Sequence, residues 1–124
     1  MLIKIVKTNL MREDDRGNIY DFSIPNRKYV LAMFRKKGTV SGKHVHTASI
    51  KSKNPEIFYV VSGKAKFVVR NLQTKEEEIH EVVEGNLIEI PANVYHEVHA
   101  ITDIYFLEFN YSKEDFEKQE TTKY

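Results

Sequence analysis

An all-β sandwich or barrel is the fold class this chain predicts, on three observations. Apolar and polar residues alternate with period two almost throughout, the strand-like runs are short, and turn-forming residues separate them at close intervals. The first run is Leu2 to Lys7, followed by Ile19 to Phe22 after the breaker Asp15-Arg16-Gly17-Asn18. Tyr29 to Arg35 follows Pro25-Asn26, and His44 to Ile50 follows Lys37-Gly38. Asn54-Pro55 introduces Glu56 to Val61, and Ser62-Gly63 turns the chain into Ala65 to Arg70. Asn71 to Thr74 precedes Glu77 to Val83, and Glu84-Gly85-Asn86 precedes Leu87 to Ile90. Pro91-Ala92-Asn93 leads into Tyr95 to His99, and Ile104 to Asn110 is the last run. Only the tail from Ser112 to Glu120 reads as a helix, with Ser112 as its N-cap and acids in the first turn.

Composition narrows the class further. The chain has 124 residues, enough for one domain with its own core, and no linker, repeat or low-complexity segment divides it. Residues 1–124 are therefore expected to form a single domain. There are no cysteines, which excludes disulfides and thiolate metal sites and fits a reducing compartment. Nineteen basic and eighteen acidic residues give a net charge of +1, without a basic cluster, so no nucleic-acid partner is expected. The apolar stretch in Met1 to Lys7 is too short for a signal peptide or membrane span; a cytoplasmic protein is expected, with no membrane partner.

Four side chains carry the functional reading. His44 and His46 lie at i, i+2, which on a strand puts both imidazoles on one face. Glu56 opens the run Glu-Ile-Phe-Tyr-Val-Val, and His96 follows Pro91-Ala-Asn-Val-Tyr. Three histidines and one carboxylate form a plausible set for a divalent metal with positions left open for a ligand. By strand parity Phe58 and Val60 follow Glu56 inward while Ile57, Tyr59 and Val61 face the other way. His96 shares its face with Val98 and opposes His99 by the same rule. Each residue also has a plainer reading. A His-x-His pair alone is commonly strand surface, and Glu56 could be an edge carboxylate outside the coordination sphere. His80, between Glu78 and Glu81, reads as a solvated strand residue, and His99 as structural or at a pocket rim. Glu76-Glu77-Glu78 reads as a solvated hairpin flank. Lys51-Ser-Lys-Asn-Pro55 reads as a solvated loop, although its two lysines could meet an anionic substrate.

These residues resemble the cupin superfamily. Gly38, His44, His46, Glu56 and Gly63 are similar to its first motif, with nine residues between His46 and Glu56, more than is usual there. Gly85, Pro91 and His96 are similar to the second motif; Asn93 stands at its middle glycine and Ala100 at its closing asparagine. The resemblance implies a double-stranded β-helix, or jelly-roll barrel, with a short C-terminal helical tail. It also implies one divalent metal ion per subunit, zinc, iron, manganese or nickel, held by His44, His46, Glu56 and His96.

Two narrower resemblances concern sugars. Asp14-Asp15-Arg16-Gly17 and Gly42-Lys-His44-Val-His46 are similar to segments of the 3,5-epimerases and 3,4-ketoisomerases of nucleotide-linked deoxysugars, as is Tyr111-Ser-Lys-Glu-Asp-Phe116. Those enzymes use no metal, which would make His44 and His46 acid/base catalysts. Ser41 and Glu56 depart from the arginine and glutamine found there. Glu56-Ile-Phe58-Tyr-Val-Val-Ser62-Gly63-Lys-Ala65 is similar instead to the zinc-binding cupin domain of capsular polysaccharide-forming reductases.

The expected function is thus a metal-binding cupin acting on a small carbonyl or sugar substrate, isomerase- or epimerase-like, with a sugar or sugar nucleotide as partner. Tyr95 would move the proton, Tyr59 having the wrong parity. A metal-free isomerase, a non-enzymatic binding cupin and an iron dioxygenase are the alternatives. A homodimer is expected because Leu2 to Val6 and the aromatic-rich strand Tyr105 to Tyr111 would otherwise leave open sheet edges.

Overall fold

The computed structural model describes residues 1–118 and, for the backbone, Thr121–Lys123. The period-two runs become strands: β1 (Lys4–Lys7), β2 (Asn9–Asp14), β3 (Gly17–Asp21), β4 (Tyr29–Arg35), β5 (Val40–His46) and β6 (Glu56–Ser62). They continue as β7 (Lys64–Asn71), β8 (Glu77–Val83), β9 (Asn86–Ile90), β10 (Val94–Ala100), β11 (Ile104–Asn110) and β12 (Thr121–Lys123). Two five-stranded sheets result, ordered β1-β9-β6-β11-β4 and β12-β5-β10-β7-β8, with β2 and β3 as a separate hairpin. Every strand pair is antiparallel. The sheets face each other as a jelly-roll barrel.

The core lies between them. Phe58, Val60, Ile88, Ile90 and Phe106 come from the first sheet, and Ala65, Phe67, Val69, Val82 and Val98 from the second. Removing each valine, isoleucine or phenylalanine among them from water contributes about 1.5–3 kcal/mol. Phe58 and Val60 point into this core, whereas Ile57 and Tyr59 join Phe109 in a cluster on the outer face, as the parity of β6 requires.

Some boundaries differ from the sequence reading. The histidine strand runs Val40–His46, four residues earlier than expected, and Ala48 and Ser49 are turn. It pairs with β10 on one side and β12 on the other, and after His46 the chain leaves the sheet. Ile50, fully buried, anchors the departing segment. β2 was not expected; it is exposed along its length and owes its form to pairing with β3. The tail helix α1 covers Lys113–Phe116 only, with Ser112 Oγ accepting the Asp115 amide hydrogen at 3.0 Å. The expected helical residues 119–120 lie outside the described ones. Among the described residues, no helix is long and apolar enough to cross a membrane.

Candidate functional site

β5 and β10 are neighbours in register, with His44 directly opposite His96. Their rings lie 4.6 Å apart, and the His44 and His46 rings 4.4 Å apart. Lys43 and Gly42 both have positive φ, at 58° and 86°, and the β5–β10 register shifts beside them. This bulge needs glycine at position 42: a Cβ there would lie 3.0 Å from the His96 carbonyl oxygen. Glu56 enters from the opposite sheet as the first residue of β6. Asn93, at the motif's glycine position, adopts φ 68°, and its amide donates to the His46 carbonyl at 2.8 Å.

The four expected residues converge. One ligand atom from each of His44, His46, Glu56 and His96 lies within 4.8 Å of the others, and all but His44 are buried. His46 Nε2 is 3.0 Å from Glu56 Oε2, and His96 Nε2 is 3.8 Å from the same oxygen. Bonds of about 2.0–2.2 Å to one ion place ligand atoms at comparable separations. His44 Nε2 is buried without a hydrogen-bond partner among the described residues, which is costly unless something binds it. Burial, then the neighbouring His96 and His46, pushes His44 down to about 4, and burial likewise lowers His96. Neutral imidazoles are what a metal requires. Burial works to raise Glu56, but His96, His46 and Lys53 outweigh it and hold the carboxylate below its ordinary range. The set therefore fits a divalent cation by donor chemistry and spacing.

The donors line a pocket of about 420 Å³ between the sheets. Leu31, Met33, Phe58, Val98 and Phe106 form its apolar wall, and Arg35, Glu117 and Lys118 also line it. Glu108 was missed by sequence reasoning, and Lys53 was read there as part of a solvated loop whose lysines could meet an anion. Glu108, in β11, is buried and lines the pocket; burial and the Glu56 charge push it up to about 7 against the pull of Lys53. Its inward position was legible in strand parity, two residues from Phe106. Lys53 is also buried, and the insertion expected to be a solvated loop is instead a single 3-10 turn, Lys51–Lys53, folded into the barrel mouth. Arg27 holds that turn by donating to the carbonyls of Ser52, Pro55 and Phe109.

Other expected residues lie elsewhere. Tyr95 alternates with His96 and faces outward, where its hydroxyl donates to Glu97 at 2.6 Å beneath Arg70. Strand parity thus removes it from the pocket, and the proton-moving role expected of it gains nothing from its position. His99 pairs with the other Glu97 oxygen at 2.8 Å, and His80 with Glu78 at 2.8 Å. Asp14 and Arg16 pair with each other in the exposed β2–β3 turn, away from the pocket lining.

Two facing antiparallel sheets enclosing a histidine–carboxylate cluster define a cupin. A model of the polysaccharide biosynthesis C-terminal domain matches residues 12–124, and the chain belongs to that family. No curated protein sequence matches it. Among solved structures, it resembles the sugar 3,4-ketoisomerase QdtA from Thermoanaerobacterium thermosaccharolyticum in complex with TDP, at 18% identity. That superposition covers 99% of this chain and 88% of that one, with TM-score 0.74. The dTDP-4-dehydrorhamnose 3,5-epimerase from Sulfolobus tokodaii is 22% identical over 88% of this chain and 69% of its own, with TM-score 0.69. At such identities the likeness is one of fold. The capsular polysaccharide assembling protein CapF from Staphylococcus aureus is 28% identical over 92% of this chain, with TM-score 0.65. The chain spans only 32% of that protein.

Proposed function

We propose that this chain is a metal-binding cupin acting on a small carbonyl or sugar substrate, in the manner of an isomerase or epimerase of polysaccharide or deoxysugar formation. The observation that carries this reading is the convergence of His44, His46, Glu56 and His96 on one point inside a pocket large enough for a sugar ring. The family match and the sugar-nucleotide enzymes among the structural neighbours support the substrate class. These four residues would hold the ion, which when bound would polarise a carbonyl oxygen. The wall of Leu31, Met33, Phe58 and Phe106 excludes water and packs on the apolar face of a substrate. Glu108, on the wall beside the four donors, is placed to move a proton, whereas Tyr95 is not. We also infer a homodimer in the cytoplasm.

The test is metal content of protein purified without an affinity-tag column. About one zinc, iron, manganese or nickel per subunit, lost in the H44A/H46A double variant, is expected. Wild-type protein that neither carries metal nor takes any up on dialysis would overturn the metal reading. The metal-free alternative, with His44 and His46 as acid/base groups, would then be tested by turnover of nucleotide-linked keto-sugars.

A further inference from the structure

The nine residues between His46 and Glu56 bring an ammonium into the pocket. Lys53 is 6% exposed, with Nζ 3.1 Å from Glu108 Oε1 and 4.0 Å from Glu56 Oε1. The turn carrying it is held at every polar atom of Ser52. The Ser52 amide donates to Asp115 at 2.7 Å, its hydroxyl accepts from the Tyr111 amide at 2.8 Å, and its carbonyl accepts from Arg27 at 3.1 Å. A lysine loses much rotamer freedom when so placed, and burying its charge requires compensation.

A purely structural ion pair with Glu108 leaves the site's charge unbalanced once an ion is bound. With neutral imidazoles, the two carboxylates Glu56 and Glu108, the Lys53 ammonium and a divalent cation leave one positive charge in excess. A proton on Glu108 only increases that excess. Buried net charge is costly, so the loaded site favours a ligand that brings a negative charge. Among the described residues Lys53 makes one hydrogen bond, to Glu108, and an ammonium has three donors.

We propose that Lys53 is a ligand-binding residue whose ammonium holds an anionic oxygen of the molecule in the pocket: a carboxylate, enolate or phosphoryl oxygen. The inference rests on the metal-binding reading and extends it to the charge of the ligand. The substrate is then an anion at the atom beside the metal, or becomes one as its carbonyl enolises.

Calorimetric titration of the zinc-loaded protein with oxalate, inorganic phosphate and neutral imidazole tests this. Lys53→Met is expected to keep one zinc per subunit and lower oxalate or phosphate affinity at least tenfold, leaving imidazole binding within threefold. The anion that depends on Lys53 identifies the oxygen class, carboxylate-like or phosphoryl. The K53M/E108Q double variant removes one charge of each sign, so the net charge is kept and no buried ion is orphaned. Anion binding that stays weak in it establishes contact with Lys53. Anion binding within threefold of wild type would overturn the proposal, since net charge alone would then suffice. Lack of any anion binding by the zinc-loaded wild type would also overturn it, leaving the metal reading intact. A wild type that holds no zinc takes down the metal reading and this inference together.

Discussion

Lowering the pH from 6.5 toward 4 protonates His44 in the unfolded chain before the folded one, because burial and the adjacent His96 and His46 depress its folded pKa to about 4. A group depressed in this way contributes stability that is complete above its unfolded pKa and lost as pH falls toward the folded value. Discounted for the partial exposure of His44, the loss is about 1–2 kcal/mol. His96 shifts in the same direction. Glu108, pushed up to about 7, gains stability over the same window. Urea unfolding of metal-free protein at several pH values between 7.5 and 4 is therefore expected to show the His44 contribution as a steeper decline in wild type than in His44→Asn. An equal decline in the variant would assign the effect elsewhere. Gly42 is the other residue on which the site turns. Gly42→Ala forces a Cβ to 3.0 Å from the His96 carbonyl at a φ of 86°, and is expected to cost about 1–3 kcal/mol. Because the strain falls on the β5–β10 bulge, metal affinity should drop along with stability, which competition with a chelator measures.

Among the elements, the turn Lys51–Lys53 depends on a residue far from it in sequence. Arg27 is buried and spends its guanidinium on three backbone carbonyls, with Tyr111 packed 4.7 Å from its centre. Arg27→Ala leaves those carbonyls without their donor and is expected to destabilise by about 3 kcal/mol or more, read from denaturant midpoints. Arg27→Lys cannot reproduce the planar fork and should recover only part. If Arg27→Ala were neutral, the turn would be held by Asp115 and Tyr111 alone.

For the whole molecule the outstanding question is how the sheet ends are covered. Expected edges were the first strand and the last aromatic strand, but β11 lies between β6 and β4 and is no edge. β1 is an edge and carries the exposed Lys4 and Lys7, which blunt pairing. β4, at the other end, exposes Val30 and Phe34, and Phe34 stacks on the exposed Tyr105 at 4.7 Å. The homodimer is therefore predicted to form across β4. Sedimentation equilibrium is expected to give two subunits for the wild type and one for Phe34→Lys, with the fold retained by circular dichroism. A monomeric wild type would refute it.

The sequence by itself determined the strands and the face each side chain takes, because period two is a local property of an extended chain. That is why Glu56, Phe58 and Val60 were assigned inward, and why His44, His46 and His96 could be grouped by motif spacing. Only tertiary structure decided that His44 stands opposite His96, since register is set by pairing between distant strands. That Tyr95 faces away from His96 was likewise a parity the sequence held, which the motif reading passed over. The turn Lys51–Lys53 was illegible locally: four polar residues and a proline read as a solvated loop. What folds it inward is Arg27 from one side and Asp115 from the other, and no local pattern encodes contacts across that much chain. Hence the four clustered side chains were readable from motif spacing and the inward face of Glu108 from strand parity, while Lys53 entered the site only once the sheets closed around it.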